Sequence, residues 1–374
     1  MKYIKNPKNG DYLPVLGCGG LRYPKIGNQV DKNKVLEIVK KSYEKGVTFF
    51  DTAYSYEGSE SALGYALKEL GIRKNVFVAS KLPIAYCKCE DDFDRFFFES
   101  LSRLHVEYFD YYFIHALNRM ERLRQLLDWD LEKWIDEKKE QGLIRNLGFS
   151  SHASYKEYEQ IIKARDWDFS MIQYNYIDEN WQAGKKGLLL AKECGIPMFI
   201  MEPIRGGMLA NSLPQEAKDV ADKYRGSDSY AAWALKYVVG NPNVLMVLSG
   251  MNDEVQIEEN CKIANETNKS SISDEELTAY EQVASIIHGK MEVYCTSCGY
   301  CMPCPMGVNI PGSMNRLNSS CIVGVEQAKS EFEYNEANGR VSNCIGCKAC
   351  EKKCPQGIDI AGNIVKLKQR FNLG

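Results

Sequence analysis

Residues 48–81 read TFFDTAYSYEGSESALGYALKELGIRKNVFVASK, and three segments of this stretch decide the fold. Thr48–Asp51 is a short aromatic run, Ser59–Leu70 is amphipathic with a helical period, and Val76–Lys81 is a second β-branched run. Strand, helix and strand in that order make a βαβ unit, whose strands lie parallel. The alternation continues in both directions. Strands are predicted at Leu13–Leu16, Thr48–Asp51, Val76–Lys81, Tyr111–His115, Ile144–Ser150, Met171–Tyr174, Met198–Met201 and Leu245–Ser249. Amphipathic stretches intervene, among them Asn33–Lys45, Asp92–Leu104, Leu131–Gln141, Tyr155–Ala164, Leu188–Cys194, Tyr230–Val239 and Asp253–Ala264. Eight such units in roughly 250 residues predict an α/β fold of the (β/α)8 TIM-barrel type. A doubly wound sheet is the competing reading, but no G-x-G-x-x-G follows the first strand.

The chain has 374 residues, 44% hydrophobic and 26% charged, which suits a globular barrel plus a small module. No run of 18 apolar residues occurs, so no membrane span is expected. Met1–Asn6 has no apolar core of a secretory signal. A net charge of −3 gives no reason to expect nucleic acid. Ser273-x2-Glu276 reads as a capping box opening a further helix to His288. The domain boundary is placed after it, with residues 1–289 as barrel and 290–374 as a second domain. No internal repeat beyond the βα alternation is read.

Eight of the fourteen cysteines fall in two runs of that second domain. One is Cys295-x2-Cys298-x2-Cys301-x2-Cys304-Pro305; the other is Cys344-x2-Cys347-x2-Cys350-x3-Cys354-Pro355. The second has the spacing of the bacterial run that ligates iron–sulfur clusters. Eight thiolates suit two 4Fe–4S clusters. In two-cluster ferredoxins the fourth cysteine of each run serves the other cluster. One cluster is therefore expected on Cys295, Cys298, Cys301 and Cys354, and the other on Cys344, Cys347, Cys350 and Cys304. The first run is one residue short before Cys304. Zinc sites separate their cysteine pairs by longer loops, which disfavours them here, and a disulfide scaffold is the other bland reading. The 39 residues between Cys304 and Cys344, most helical over Val325–Ala337, suggest a helical ferredoxin-like domain. Residues 290–374 carry 10 Lys and Arg against 7 Asp and Glu, an excess that partly offsets two anionic clusters. Free thiols and clusters imply a reducing, cytoplasmic setting.

Catalytic residues of a barrel sit at the C-terminal ends of its strands. Strand two ends in Phe50-Asp51-Thr52-Ala53-Tyr54-Ser55-Tyr56, strand three in Ala79-Ser80-Lys81 and strand four in Phe113-Ile114-His115. In these positions the sequence resembles the aldo-keto reductases over about residues 1–270. The resemblance implies a tetrad of Asp51, Tyr56, Lys81 and His115. Its logic follows from elementary chemistry. Reducing a carbonyl by hydride needs a proton for the developing alkoxide, and a lone tyrosine ionises only near ~10. Lys81 beside Tyr56 makes it a usable acid, Asp51 fixes Lys81, and His115 donates to the carbonyl oxygen. Taken singly, these residues would read as a barrel-mouth ion pair and a core histidine.

The resemblance also implies nicotinamide-cofactor contacts. These are Gly20 and Leu21 at the first strand end, Ser150, Ser151 and Gln173 around the carboxamide, and Met201 under the ring. Ile204, Arg205 and Gly206 belong to the loop over the pyrophosphate, and Ser249, Gly250, Glu259 and Asn260 to the adenosine end. Met201 stands where the family usually has an aromatic ring. Ser249–Cys261 holds four acids (Asp253, Glu254, Glu258 and Glu259) and no basic residue, which favours NADH slightly over NADPH. Cys18, Cys87, Cys89, Cys194, Cys261 and Cys321 read as incidental thiols, with a redox pair near the mouth as the alternative for Cys87-x-Cys89, and His152 reads as a polar residue at a helix start. The function expected is interconversion of a small carbonyl and an alcohol with NAD(H) or NADP(H), with single electrons exchanged through the clusters. An external ferredoxin or flavodoxin is the partner this implies. A flavin in the barrel mouth is one alternative, and clusters serving only stability or partner docking are another.

Overall fold

The computed structural model describes residues 1–374 apart from 297–298, 323, 327, 329–340 and 374. Cys298 therefore lies outside the described residues, and of Val325–Ala337 only Val325, Glu326 and Ala328 lie within them. The described residues group into two compact units, Met1–Pro203 with Ala234–Ile272, and Ile204–Trp233 with Ser273–Gly374.

Eight strands form the first unit: β1 (Leu16–Gly19), β2 (Phe49–Asp51), β3 (Phe77–Leu82), β4 (Phe109–Ile114), β5 (Ile144–Ser151), β6 (Phe169–Gln173), β7 (Met198–Met201) and β8 (Met246–Ser249). Each is parallel to the next, and β8 pairs with β1 to close the barrel. The predicted first strand is misplaced. Tyr12–Pro14 pairs antiparallel with Tyr3–Lys5 in a hairpin, and the barrel strand begins only at Leu16. Pro14 has no N–H to offer a central ladder, so it suits the end of a hairpin and not a barrel strand. Leu13, with Ile4 against it, packs onto Phe49, Tyr111, Phe169 and Phe199 and covers the N-terminal end of the barrel.

Helices follow the strands. They include α1 (Lys32–Glu44), α2 (Ser59–Leu70), α3 (Asp91–Leu104), α4 (Met120–Asp128), α5 (Leu131–Glu140), α6 (Tyr155–Lys163), α7 (Gly184–Glu193), α8 (Tyr230–Val239) and α9 (Glu254–Glu266). Asp31 starts α1 by accepting from the backbone N–H groups of Asn33 and Lys34, each at 3.1 Å, which satisfies two otherwise unpaired donors. α2 and α3 approach closely at Gly64, where an added Cβ would lie 2.5 Å from the Leu104 carbonyl oxygen.

In the second unit, α10 (Asp274–Lys290) starts at Ser273, whose hydroxyl accepts from Glu276 N–H at 3.2 Å. The Glu276 carboxylate takes Trp233 Nε1–H at 2.9 Å, and the Trp233 ring stacks on Tyr280 with centroids 3.9 Å apart. Lys290 pairs with Glu216 at 2.8 Å. These contacts hold α10 with residues 204–233. Beyond it, α11 (Ile310–Ile322) and α12 (Ile360–Phe371) bury Ile310, Met314, Leu317, Ile360, Ile364, Leu367 and Phe371 in one core. Among the described residues no helix is long and apolar enough to cross a membrane.

Gly64→Ala sets helix propensity, a gain of about 1 kcal/mol, against overpacking on a backbone atom that cannot rotate away, a loss of about 1–3 kcal/mol. The expected result is a lower thermal midpoint. A raised midpoint would show that α2 and α3 do not meet at this position.

Candidate active site and cluster sites

The parallel register brings the ends of β2, β3 and β4 side by side, with Asp51 opposite Ala79 and Lys81 opposite Phe113. Lys81 is 1% exposed, and its ammonium donates to Asp51 Oδ1 at 2.5 Å and to the Thr52 carbonyl at 2.6 Å. Burial pushes Lys81 down and Asp51 up from their ordinary values, and each partner's charge opposes that shift in the other. The same ammonium lies 5.0 Å from the centroid of the Tyr56 ring. Tyr56 meets His115 edge to face, with centroids 5.7 Å apart. The four residues expected to form a tetrad are thus mutually adjacent.

Tyr56 sits on a braced loop. Its N–H donates to Ala53 O at 2.9 Å, and its carbonyl accepts from Ser59 N–H at 2.9 Å. Ser59 also donates its hydroxyl to Gly20 O at 2.9 Å, joining the ends of β1 and β2. At Gly20 a Cβ would lie 2.6 Å from Ser59 Oγ and 3.1 Å from Asp51 O, so the glycine is required by the chain's own packing. Leu21 beside it is 47% exposed.

Two neighbours of His115 went unread in the sequence. Ser55 Oγ is 3.2 Å from His115 Nδ1, and nothing in its local pattern signals that role. His152 does not start a helix, because α6 begins at Tyr155. It is buried behind the Ser150–Ser151 pair, with Nδ1 3.3 Å from Gln182 Oε1. Burial, then the nearby Lys81, then His152, hold His115 well below its usual range. Burial likewise lowers His152 to about 4, against hydrogen bonds to Gln182 and Gln173 that raise it. His115 is therefore neutral at neutral pH.

The other expected cofactor residues are distributed as follows. Ser150 Oγ accepts from Ala116 N–H at 3.0 Å, and Ser151 donates to Leu117 O at 2.8 Å. Gln173 donates to Asp178 at 2.6 Å, while its buried Oε1, which faces His152 at the end of β6, makes no well-formed hydrogen bond among the described residues. Such an acceptor fits the amide protons of a nicotinamide carboxamide. Met201 ends β7, half-buried. Asn260 donates to Ser249 Oγ at 3.1 Å; Gly250 lies against the Arg22 side chain, and Glu259 is half-buried on α9. Arg22 pairs with Glu202 at 2.9 Å, clasping the chain after β1 to the chain after β7. Ile204, Arg205 and Gly206 fall in the second unit. There Arg205 is 4% exposed and donates to the Cys295 carbonyl at 3.1 Å. The acids near the adenosine end are not uncompensated. Lys41 pairs with Glu254 and Glu258, and Lys45 with Glu258, at 2.5–2.7 Å, so two of the four acids behind the charge argument against a 2′-phosphate are offset.

Cys18 and Cys87 are buried thiols pushed up by that burial to about 12, and Cys261 to about 11, which leaves them unreactive.

The cysteine runs are followed by a repeat that the sequence reading overlooked. Cys304-Pro-Met-Gly-Val-Asn-Ile-Pro-Gly and Cys354-Pro-Gln-Gly-Ile-Asp-Ile-Ala-Gly lie 50 residues apart. The geometry repeats with them. Gly307 and Gly357 both have positive φ, at 71° and 64°, as do Gly299 and Lys348, at 79° and 59°. Asn309 Oδ1 and Asp359 Oδ1 each accept a backbone N–H three residues on, from Gly312 and Gly362, at 3.1 Å. The signal was available in the paired Cys-Pro-x-Gly runs. The missing residue before Cys304 shifts the cysteine spacing from 49 to 50 and hides it from a fixed-period scan.

Two hollows accompany this repeat. One, of about 320 Å³, is lined by Cys295, Cys301 and Cys354; the other, of about 500 Å³, by Cys304, Cys344, Cys347 and Cys350, with Cys301 on its border. Among the described residues, the smaller hollow joins two cysteines of the first run to the fourth of the second, and the larger joins three of the second run to Cys301 and Cys304 of the first. Thr296 lines the smaller hollow, 1% exposed, and its hydroxyl has no partner among the described residues. Thiols with an unused buried donor fit a sulfide-bearing cluster.

A closed parallel barrel with its ionisable groups gathered at the C-terminal mouth has the architecture of a TIM-barrel enzyme. Residues 15–284 match the aldo/keto reductase family and residues 294–358 the 4Fe-4S dicluster domain. The chain belongs to the aldo/keto reductase family and is an oxidoreductase carrying a C-terminal 4Fe–4S domain. It is 25% identical to the uncharacterized oxidoreductase YqkF of Bacillus subtilis (strain 168) over 319 residues, 75% of this chain and 93% of that one. Its fold matches the aldo-keto reductase AKR11C1 from Bacillus halodurans with a TM-score of 0.62 at 22% identity, covering 76% of this chain and 96% of that one. It also matches an aldo-keto reductase from Klebsiella pneumoniae in complex with NADPH, TM-score 0.60 at 20% identity, covering 74% and 92%.

Two outcomes follow. Anaerobically prepared protein is expected to hold about eight iron per chain, and Cys354→Ser to disturb the cluster of the first run and not that of its own. Loss of the second-run cluster's spectrum in that variant would show uncrossed ligation. For His152, with a pKa of about 4 in the folded chain against 6.5 in an unfolded one, the unfolded chain binds the extra proton between those values. Stability therefore falls as pH falls through that window, by about 2 kcal/mol between pH 7 and 5. His152→Gln should lose correspondingly less in denaturant midpoint over the same interval. Parallel losses in both proteins would assign the acid sensitivity elsewhere.

Proposed function

We propose that the barrel interconverts a small carbonyl compound and the corresponding alcohol with a nicotinamide cofactor, with Tyr56 as the acid and base. The observation that carries this reading is the Lys81 ammonium, held by Asp51 at 2.5 Å and lying 5.0 Å from the Tyr56 ring. A reduced nicotinamide, when bound, supplies a hydride to the carbonyl carbon. Tyr56 gives its phenolic proton to the oxygen, and the reverse transfers oxidise the alcohol. Lys81 stabilises the negative charge that develops on the tyrosine oxygen. With the Ser55 hydroxyl donating to Nδ1, neutral His115 carries its proton on Nε2 and donates it to the substrate oxygen. Gln173 Oε1 and the Ser150–Ser151 pair orient the carboxamide. With Glu254 and Glu258 paired to lysines, both NADH and NADPH are admitted, and NADPH is the cofactor bound by the Klebsiella neighbour. The cysteine runs hold two clusters that supply one-electron chemistry and call for a reducing compartment.

Tyr56→Phe is expected to lower carbonyl reduction about 10²–10⁴-fold while nucleotide affinity, followed by fluorescence quenching, stays nearly the same. Undiminished turnover in that variant would remove Tyr56 from the chemistry.

A further inference from the structure

The two cluster half-sites share their thiols, positive-φ positions and helix caps, so these are what holding a cluster requires. Residues that differ between the halves serve something else. Thr296, after the first cysteine of the first run, is 1% exposed; its counterpart Ile345 is 67% exposed. Gly299 corresponds to Lys348, and the second run alone ends in Glu351-Lys352-Lys353. Around the larger hollow, Met306 is 40% exposed and Cys347 is the exposed thiol of its run, while Lys348 and Lys353 line the rim, where no carboxylate stands among the described lining residues. Glu351, 3.9 Å from Lys348, is turned to the start of α12, where it accepts from Ala361 N–H at 2.9 Å.

We propose that this rim is the docking surface for a small acidic one-electron carrier protein. The proposal rests on the cluster reading above. Exposed apolar side chains encircled by cations make the centre and rim of a transient protein interface, and the cations select an acidic partner. Holding the anionic cluster alone does not explain the lysines, because the first half-site has none at the matching positions. Nor does it explain an isoleucine left in water. The face with the exposed thiol is also the one from which a carrier approaches the cluster most closely.

Iron-loaded full-length protein is immobilised and titrated with an acidic two-cluster ferredoxin at 50 and 300 mM salt. Binding by the parent is expected. Lys348→Glu with Lys353→Glu should weaken it at least about tenfold at low salt, and the gap should narrow at high salt as screening removes it. Ile345→Ser should weaken binding several-fold at both salt concentrations. Iron content and the potential of each cluster, followed by electron paramagnetic resonance, check that the variants remain loaded. No binding by the loaded parent, or equal affinity of parent and charge-reversed protein, overturns the proposal. Equal affinity together with a shifted second-run potential would assign the lysines to the cluster's own charge. A chain that holds no iron overturns the cluster reading itself, and this proposal with it.

Discussion

A lysine ammonium with 1% exposure survives inside a barrel only where its charge is answered, and the mouth of this barrel is organised around that requirement. Lys81 takes one carboxylate and one carbonyl, both from the adjacent strand end. Breaking such a pair by removing one partner typically costs about 3–5 kcal/mol, so the ends of β2 and β3 are held in a single register. The cation so fixed is then presented to two rings, those of Tyr56 and Phe113, each 5.0 Å away. Structure and chemistry share this constraint. The charge that must be neutralised for folding is the one held against the Tyr56 ring. Burial above all, and then this cation, hold His115 well below its usual range.

Much of this was legible in the sequence because its signals are local. Seven of the eight barrel strands fall where alternation and β-branched runs place them, and Asp51, Tyr56, Lys81 and His115 were marked by their position at strand ends. The first strand was displaced because Leu13–Leu16 is apolar throughout, and only tertiary pairing decides that Tyr12–Pro14 turns back on Tyr3–Lys5. What the sequence hid is interaction at long range. Lys41 and Lys45 lie more than 200 residues from the acids they neutralise. Read alone, the segment after β8 looks repulsive to phosphate; in the fold it is half of an ion-pair lattice with α1. Such exposed pairs contribute little stability, yet they offset two of the four acids on which the electrostatic inference rested. His152 shows the same limit from the other side. A histidine following two serines has the look of a solvated helix start, and its burial depends on Gln182, thirty residues away.

The cluster unit illustrates how duplication separates necessity from use. Its two halves agree where geometry is demanding: a thiol, a left-handed residue after the second cysteine of each run, a left-handed glycine three residues past the last cysteine, and a carboxamide or carboxylate capping the helix that follows. A side chain needs a reason to occupy the left-handed region, and Lys348 occupies it where the other half has Gly299. That position sacrifices conformational ease for a cation.

Arg205 carries the argument into the chain that leaves β7. Its sequence context, Glu202-Pro203-Ile204-Arg205-Gly206-Gly207, reads as a loop built for phosphate, with a guanidinium fork and glycine amides. In the fold the guanidinium is withdrawn from solvent and spends one donor on the carbonyl of Cys295, with Met208 and Met291 sulfurs against another nitrogen. A buried guanidinium is costly to misplace, because its rigid fork tolerates few alternative partners. The turn at 205–207, with φ of +48° at Arg205, is therefore registered to the first residue of the first cysteine run. A segment that is contiguous with the barrel strand in sequence thus belongs by its contacts to the unit that holds the clusters. Altering Arg205 would disturb the backbone beside Cys295 before it disturbed any phosphate contact.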